Sequence, residues 1–499
     1  MTDRRRAADD AGALLLGRAL SMIAEAAVML VVVRLLGKAE VGVLAGMLVV
    51  SQTVAIVATA GLPALLLMAL PGEPIARRRA IAATHLRVLH AMGAVVGVGF
   101  VAFAVAGQHV GAAPEDAAVW LWLAPLPLFD LPMRALPNLL VIEGRAATGA
   151  RLAIGKSIVA SAATLVPVAL GAPLWGVAAC GTLGAAVVWL ALPWSIAQLY
   201  RDVEHQPPTV SGWATLRRAL PLGLTDIAGA IAARLDRHLV LAWFSVEAFA
   251  EYQVGAWQIP FIVNIPYAVG TATAAPMREL FAAGRGRAAV ALWRASIHDV
   301  ALVVVPVSMV FLVAAPSVVE LLFTERYLSA VPVFRCYTAL TMARVAAFGV
   351  VLVAAGRPRD VLFAATFGLA ASVAIALPLT AWLGPIGAAI AAVVAFVPAA
   401  GVYCWRIAQA AGVPLACTFP LGTFARLVVW AAIPGALAGW LDDAFDPSPI
   451  RGLLVTTAVV GIGFAALATR AGDLDRDHWR YLARWLSLRP LRDRIVDRR

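Results

Sequence analysis

The sequence predicts an all-α integral membrane protein of about fourteen transmembrane helices: two pseudo-symmetric six-helix lobes followed by two C-terminal helices. Three observations predict it. Of 499 residues, 62% are hydrophobic and 14% charged, against about a quarter charged in a soluble domain. The apolar residues fall in continuous runs of about 20, enough to cross a ~30 Å hydrocarbon core as a helix and unlike the alternation of a β-barrel strand. Arginines, finally, crowd into every second connection between runs.

The runs predict helices over 12–36, 41–70, 86–107, 117–141, 152–171, 175–199, 219–243, 249–275, 298–323, 331–355, 361–383, 386–406, 425–441 and 450–469. Gly, Pro and charge mark their ends, as in Leu35-Leu36-Gly37-Lys38 and Gly384-Pro385. The first run lacks a small-residue cleavage site and exceeds a signal-peptide core, so it is expected to be a retained helix. The expected organisation is a cytoplasmic N-terminus (1–11), an N-lobe (12–200), a linker (201–218), a C-lobe (219–409), two appended helices (425–469) and a basic cytoplasmic tail (470–499).

Orientation follows from the distribution of basic residues. With the N-terminus inside, the cytoplasmic segments hold 29 of them, including Arg4–Arg6, Arg77–Arg79 and nine from Arg470 onward, while the outer loops hold only Lys38, Arg326 and Arg451. The outer loops carry acids such as Glu115, Asp116, Asp442 and Asp443. Both termini are therefore expected in the cytoplasm. The same distribution explains the net charge of +11 and excludes nucleic acid as a partner, because no basic stripe is interleaved with aromatics. Within the tail, Trp479, Tyr481, Leu482, Trp485 and Leu486 among arginines fit either an amphipathic helix on the anionic leaflet or a solvated basic tail. Cys180, Cys336, Cys404 and Cys417 lack metal-ligand or CxxC spacing, and no cofactor, zinc site or disulfide is expected.

The halves echo each other. Helix, Gly-Arg turn, helix, then a Gly-Pro-rich junction occurs around Gly144-Arg145 and Gly176, and again around Gly356-Arg357 and Gly387, at offsets of 212 and 211 positions. Transporters commonly place a substrate site between such repeats.

Charges inside the runs are the second functional signal, since each costs several kcal/mol against lipid and must face a partner or a wet cavity. They are Arg18, Glu25, Asp130, Arg134, Lys156, Asp226, Arg234, Asp236, Arg237, Glu320 and Arg344. Arg18 and Glu25 share one face of helix 1. Asp226, Arg234 and Arg237 follow at i, i+8 and i+11 on helix 7. Gln253, Trp257, Asn264 and Thr271 stripe helix 8, and Ser51, Gln52 and Thr53 lie on helix 2. Polar stripes on these four helices predict a central cavity. The bland alternatives are an Arg18–Glu25 pair closed on itself, an Asp130–Arg134 pair steadying a proline-kinked helix, an outer gate or anchor at Asp236 and Arg237, and snorkelling Lys156 and Arg344. The cations outnumber the acids, which favours an anionic, phosphate-bearing substrate bound by arginine forks over a cationic drug.

Arg34-Leu35-Leu36-Gly37-Lys38-Ala39-Glu40-Val41-Gly42, Arg234-Leu235-Asp236-Arg237-His238-Leu239-Val240-Leu241 with Ala250-Glu251-Tyr252, and Leu383-Gly384-Pro385-Ile386-Gly387-Ala388-Ala389 resemble junctions of the polysaccharide exporters of the multidrug/oligosaccharidyl-lipid/polysaccharide (MOP) superfamily. Leu44 stands where that family often has an aromatic residue. The resemblance covers helices 1–12. It implies a flippase, not an enzyme, that carries undecaprenyl-pyrophosphate oligosaccharides across the bacterial inner membrane, with polysaccharide polymerase and ligase machinery as prospective partners besides the lipid-linked oligosaccharide and membrane lipid. It implies head-group contacts at Arg18, Glu25, Asp226, Arg234, Asp236 and Arg237; the polar stripes add Gln52, Gln253, Trp257 and Asn264. Two competitors remain: a cation-coupled multidrug exporter of the same fold, which calls for an acidic cavity, and a membrane glycosyltransferase or polymerase, which calls for larger outer loops.

Overall fold

Each predicted helical range is mainly helical in the computed structural model, which describes residues 21–109, 114–204, 207, 210–445 and 448–475. Among the described residues there is no strand.

Half of the predicted helices are broken internally, and several of the breaks have local causes. Residues 21–35 form α1. The next apolar run divides into α2 (Lys38–Thr59) and α3 (Leu62–Ala69) because Ala60 and Gly61 both adopt left-handed backbone, with φ of 45° and 77°. After α4 (Ile75–His109) comes a run cut into α5 (Pro114–Leu123), α6 (Leu126–Met133) and α7 (Leu136–Ile142). Pro127 and Pro137 sit in the first turns of α6 and α7, where a missing N–H is tolerated but continuation from the preceding turn is not. Then follow α8 (Ala146–Ala169), α9 (Leu174–Trp189), α10 (Ala191–Leu199), α11 (Gly212–Ala232), α12 (Leu235–Trp243), α13 (Val246–Gly255) and α14 (Pro260–Ala282). The chain continues through α15 (Gly286–Val313), α16 (Ala315–Phe323), α17 (Val331–Ala343), α18 (Phe348–Ala354), α19 (Pro358–Leu383), α20 (Pro385–Ala411), α21 (Leu421–Phe445) and α22 (Pro449–Arg470).

Ten spans among the described residues are long and apolar enough to cross a bilayer, four fewer than predicted. The other four ranges are helical but are cut short at residue 21, broken by prolines (α5–α7), broken at Ala233–Arg234 (α11–α12), or broken over 256–259 (α13–α14). The protein is thus an all-α, multi-pass membrane protein.

Several helices also run past their predicted ends. α4 begins at Ile75 rather than 86, α11 at Gly212 rather than 219 and α15 at Gly286 rather than 298, while α14 reaches Ala282 rather than 275. Hydropathy marks where lipid ends, whereas the backbone ladder continues through Arg77–Arg79, Arg217, Arg278 and Arg294, which are good helix formers.

The Gly-Arg turns of the two halves share one geometry. Gly144 and Gly356 have φ of 70° and 73°, and the following N–H donates back to the carbonyl five residues earlier: Arg145 to Leu140 at 2.7 Å and Arg357 to Leu352 at 2.9 Å. This left-handed helix ending needs glycine. It recurs at Gly284-Arg285, where φ is 69° and the bond to Leu280 is 2.8 Å, so the turn is a property of the local sequence as well as of the repeat.

Contacts group the described residues up to Val254 with Val361–Ala399 into one compact unit, and Gly255–Asp360 with those from Ala400 into another. In the first, Leu62, Leu66, Leu89, Leu131, Leu136 and Ala219 form a core between α3, α4, α6, α7 and α11. Glycines let backbones meet there: a Cβ on Gly93 of α4 would lie 2.6 Å from the Pro127 carbonyl oxygen of α6. In the second unit, α15 packs against α14, α17, α21 and α22, with Trp293 buried. Arg426 and Trp430 of α21 both hydrogen bond the buried carboxylate of Asp473, Arg426 through Nε at 2.9 Å and again through a terminal nitrogen. The aromatic tail positions Trp479–Leu486 lie outside the described residues.

Candidate functional site

A cavity of about 440 Å³ lies within the first unit. Its wall on α2 is the stripe Leu44, Met47, Leu48, Ser51, Gln52, Ala55 and Ile56, at the three- and four-residue spacing of one helix face. Glu25 enters from α1, Asp130 and Arg134 from α6, Lys156 and Thr164 from α8, and Arg234 from the break between α11 and α12. Gly181 and Gly184 of α9 complete the lining. Nothing lies within 4 Å of a Cβ built on Gly181, so any larger residue there would subtract from the cavity.

The charged groups are held by their surroundings. Ser157 of α8 donates to the Ser21 carbonyl at 3.3 Å and fixes α1 beside α8. Gly93 and Gly97 of α4 give α5 and α6 room to approach. Arg134 Nε donates to Asp130 Oδ2 at 2.8 Å, one helical turn away, and Lys156 Nζ donates to Oδ1 at 2.7 Å. Thr53 of α2 donates its hydroxyl to the Val49 carbonyl at 2.9 Å, so its oxygen accepts from His238 Nε2 at 3.0 Å. That bond pins α12 to α2, and the His238 backbone N–H donates to the Arg234 carbonyl at 3.1 Å. The helix therefore restarts at Arg234, and its side chain lines the cavity.

Of the ten residues singled out by sequence, the structure brings Glu25, Gln52 and Arg234 to this cavity. Arg18 lies outside the described residues. Asp226 is exposed on α11 and does not line the cavity; the break at Ala233–Arg234 ends the single helical face expected for Asp226, Arg234 and Arg237. Asp236 is buried and accepts from the Tyr252 hydroxyl at 2.6 Å, and neither it nor Arg237 lines the cavity. The helix 8 stripe is interrupted over 256–259. Gln253 stays in the first unit, whereas Trp257, in the second, packs edge-on to Phe323 at 5.7 Å and Asn264 donates to the Pro260 carbonyl at 2.8 Å.

Asp130, Arg134 and Lys156 were expected as a structural pair and a snorkelling lysine. The pair is present, but Lys156 turns to the same carboxylate, and all three line the cavity. No spacing signal in the sequence gives this third partner, because Lys156 stands on a different helix and meets Asp130 only through tertiary packing. The cavity charges are then Glu25 and Asp130 against Arg134, Lys156 and Arg234.

The family model described as "Polysaccharide biosynthesis protein" matches residues 7–276, more than half the chain. The chain belongs to this family. No curated protein matches it significantly. Among solved structures, the lipid II flippase MurJ in an inward closed conformation superposes with a TM-score of 0.67 at 12% identity, covering 93% of this chain and 99% of that one. An inward-facing multidrug resistance MATE family transporter of the MOP superfamily gives 0.58 at 15%, covering 78% and 95%. A MOP superfamily transporter from Pyrococcus furiosus, described as having a binding pocket of reverse polarity, gives 0.56 at 17%, covering 80% and 96%. The family member described here therefore has the MOP fold.

Proposed function

We propose that the chain is a flippase that moves lipid-linked oligosaccharide of the undecaprenyl-pyrophosphate type across the bacterial inner membrane for cell-surface polysaccharide synthesis. The observation that carries the reading is Arg234. Arg234 lines the cavity, the like charges of Arg134 and Arg237 lie within electrostatic reach of it, and no carboxylate forms an ion pair with it among the described residues. A guanidinium without a counter-ion in a partly dehydrated site favours a phosphate, which it grips bidentately.

In this account the head group enters from the cytoplasm and lies against Arg234, Arg134 and Lys156, with Arg18 joining from helix 1. Ser51 and Gln52 face its sugar hydroxyls, and the lipid tail stays in the bilayer. The lobes 12–200 and 219–409 then rock outward. All fourteen ranges span the membrane with both termini cytoplasmic, and the polymerase and ligase machinery takes up the product. Membership of a polysaccharide biosynthesis family supports a saccharide substrate, and one structural neighbour is a lipid II flippase. Other neighbours are multidrug transporters, but a cationic drug would meet three cavity cations and two acids.

Binding to nanodisc-embedded protein tests the substrate class. A fluorescent undecaprenyl-pyrophosphate oligosaccharide is expected to bind and to bind at least tenfold more weakly to Arg234→Ala, a loss of ~1.4 kcal/mol. Tight binding of a cationic dye instead, unaffected by that substitution, would transfer the chain to the drug-exporter reading.

A further inference from the structure

The three ions beside Arg234 are unevenly placed. The Asp130 side chain is 19% exposed, while the Arg134 and Lys156 side chains that bind it are 31% and 44% exposed. The acid is recessed and its two cations face the cavity. A carboxylate needs one cation for neutrality; the second leaves the trio with a net positive charge. Lys156 comes from a different helix, so the carboxylate also bridges α6 and α8. Arg134 spends only Nε on Asp130, and its two terminal nitrogens have no hydrogen-bond partner among the described residues. An anion arriving at Arg234 thus meets two more cations, and any hold it takes on them is taken from Asp130, whose recessed carboxylate is left without a cation until the anion departs; that cost counts against tight binding.

We propose that Asp130 is a resident counter-ion: it competes with the head-group phosphates for Lys156 and Arg134, cedes them as the head group binds, and reclaims them as it leaves. Asp130 thereby lowers affinity and speeds release, which a carrier needs and a simple binding site does not. The proposal rests on the anionic-substrate reading above and names the residue that tunes it. The chemistry recognised is a pyrophosphate, whether free or carried on a lipid.

The test measures binding of inorganic pyrophosphate and, separately, of undecaprenyl pyrophosphate to the full chain in nanodiscs. Asp130→Asn is expected to bind both probes on the order of fivefold more tightly, ~1 kcal/mol at 1.4 kcal/mol per tenfold. In a translocation assay the same variant is expected to show a lower KM together with a lower kcat, a split that a merely structural role would not produce. Unchanged or weaker binding in Asp130→Asn, with binding still lost in Arg234→Ala, overturns the counter-ion role and leaves the anion site standing. Binding indifferent to Arg234→Ala, or no binding to either the wild type or Asp130→Asn, overturns both. Tight binding of the lipid probe alone identifies the lipid as the source of the pyrophosphate and keeps the proposal. Should Asp130→Asn fail to assemble, the wild type decides. The chain has two lysines, Lys38 and Lys156, and Lys38 is paired with Glu251. With 15N-lysine labelling, pyrophosphate is expected to move the Lys156 ammonium signal and leave that of Lys38 in place; a stationary Lys156 signal at saturating pyrophosphate overturns the proposal.

Discussion

The seating of α6 on α4 decides where Asp130 and Arg134 stand, and a single methyl group tests it. A Cβ on Gly93 would lie 2.6 Å from the Pro127 carbonyl oxygen and 2.8 Å from the Leu128 Cα. Both are backbone atoms that cannot rotate away. Restoring ordinary contact at 3.4 Å requires α6 to retreat by about 0.8 Å, taking the ion pair with it. Gly99, on the same helix, has nothing within 4 Å of its Cβ. Both Gly→Ala changes gain the same helix propensity, ~0.8–1.0 kcal/mol, and only Gly93→Ala suffers overpacking, typically ~1–3 kcal/mol. The gap between the two variants is therefore expected to be ~1–3 kcal/mol, with Gly99→Ala the more stable. Unfolding by denaturant titration in mixed micelles measures it. Pyrophosphate binding by Gly93→Ala should weaken in parallel, and that by Gly99→Ala should not. Equal stability of the two variants would refute this packing of α6 on α4.

Three further outcomes are expected. Tyr252→Phe removes the 2.6 Å bond to the buried Asp236 carboxylate and should cost ~1.5–3 kcal/mol in the same titration. Arg426→Ala strips the strongest partner from Asp473 and, because the guanidinium is half exposed, should cost a discounted ~1–3 kcal/mol and open residues 471–475 to protease. Burial, and then the neighbouring Glu143 charge, hold the Tyr200 phenol above its ordinary pKa of 10.0. The folded protein keeps a proton that the unfolded chain releases, so this contribution is complete below about pH 10 and falls as pH rises beyond it. Stability measured between pH 9 and 11 should decline less steeply in Tyr200→Phe.

Much of this was legible in the sequence because membrane insertion writes large signals. Lipid admits only helices and closed barrels as spanning backbone, so continuous apolar runs located the helices, the energetic cost of intramembrane charge pointed to Glu25 and Arg234 as part of a cavity wall, and the polar stripe on the second helix pointed to Gln52. What was not legible was helix continuity. Extending an ideal helix through Ala233 placed Asp226, Arg234 and Arg237 on one face, but Arg234 takes φ −128° and ψ 1°, and the periodicity restarts there. The same assumption carried Gln253, Trp257 and Asn264 through the non-helical 256–259. Nor could spacing alone reveal that Lys156 reaches Asp130, because that ion pair joins two helices through tertiary packing. The left-handed pair Ala60–Gly61 was hidden likewise; a Cβ on Gly61 would lie 2.8 Å from the Ala219 carbonyl oxygen of α11, a tertiary contact that no local pattern reports.

The most direct measurement is translocation in proteoliposomes, using a fluorescent undecaprenyl-pyrophosphate oligosaccharide and a membrane-impermeant quencher to report head-group sidedness. The account predicts protein-dependent movement of the head group, abolished in Arg234→Ala at unchanged protein level. Head groups that stay on their original leaflet across several oligosaccharides, or movement that survives Arg234→Ala undiminished, would contradict it.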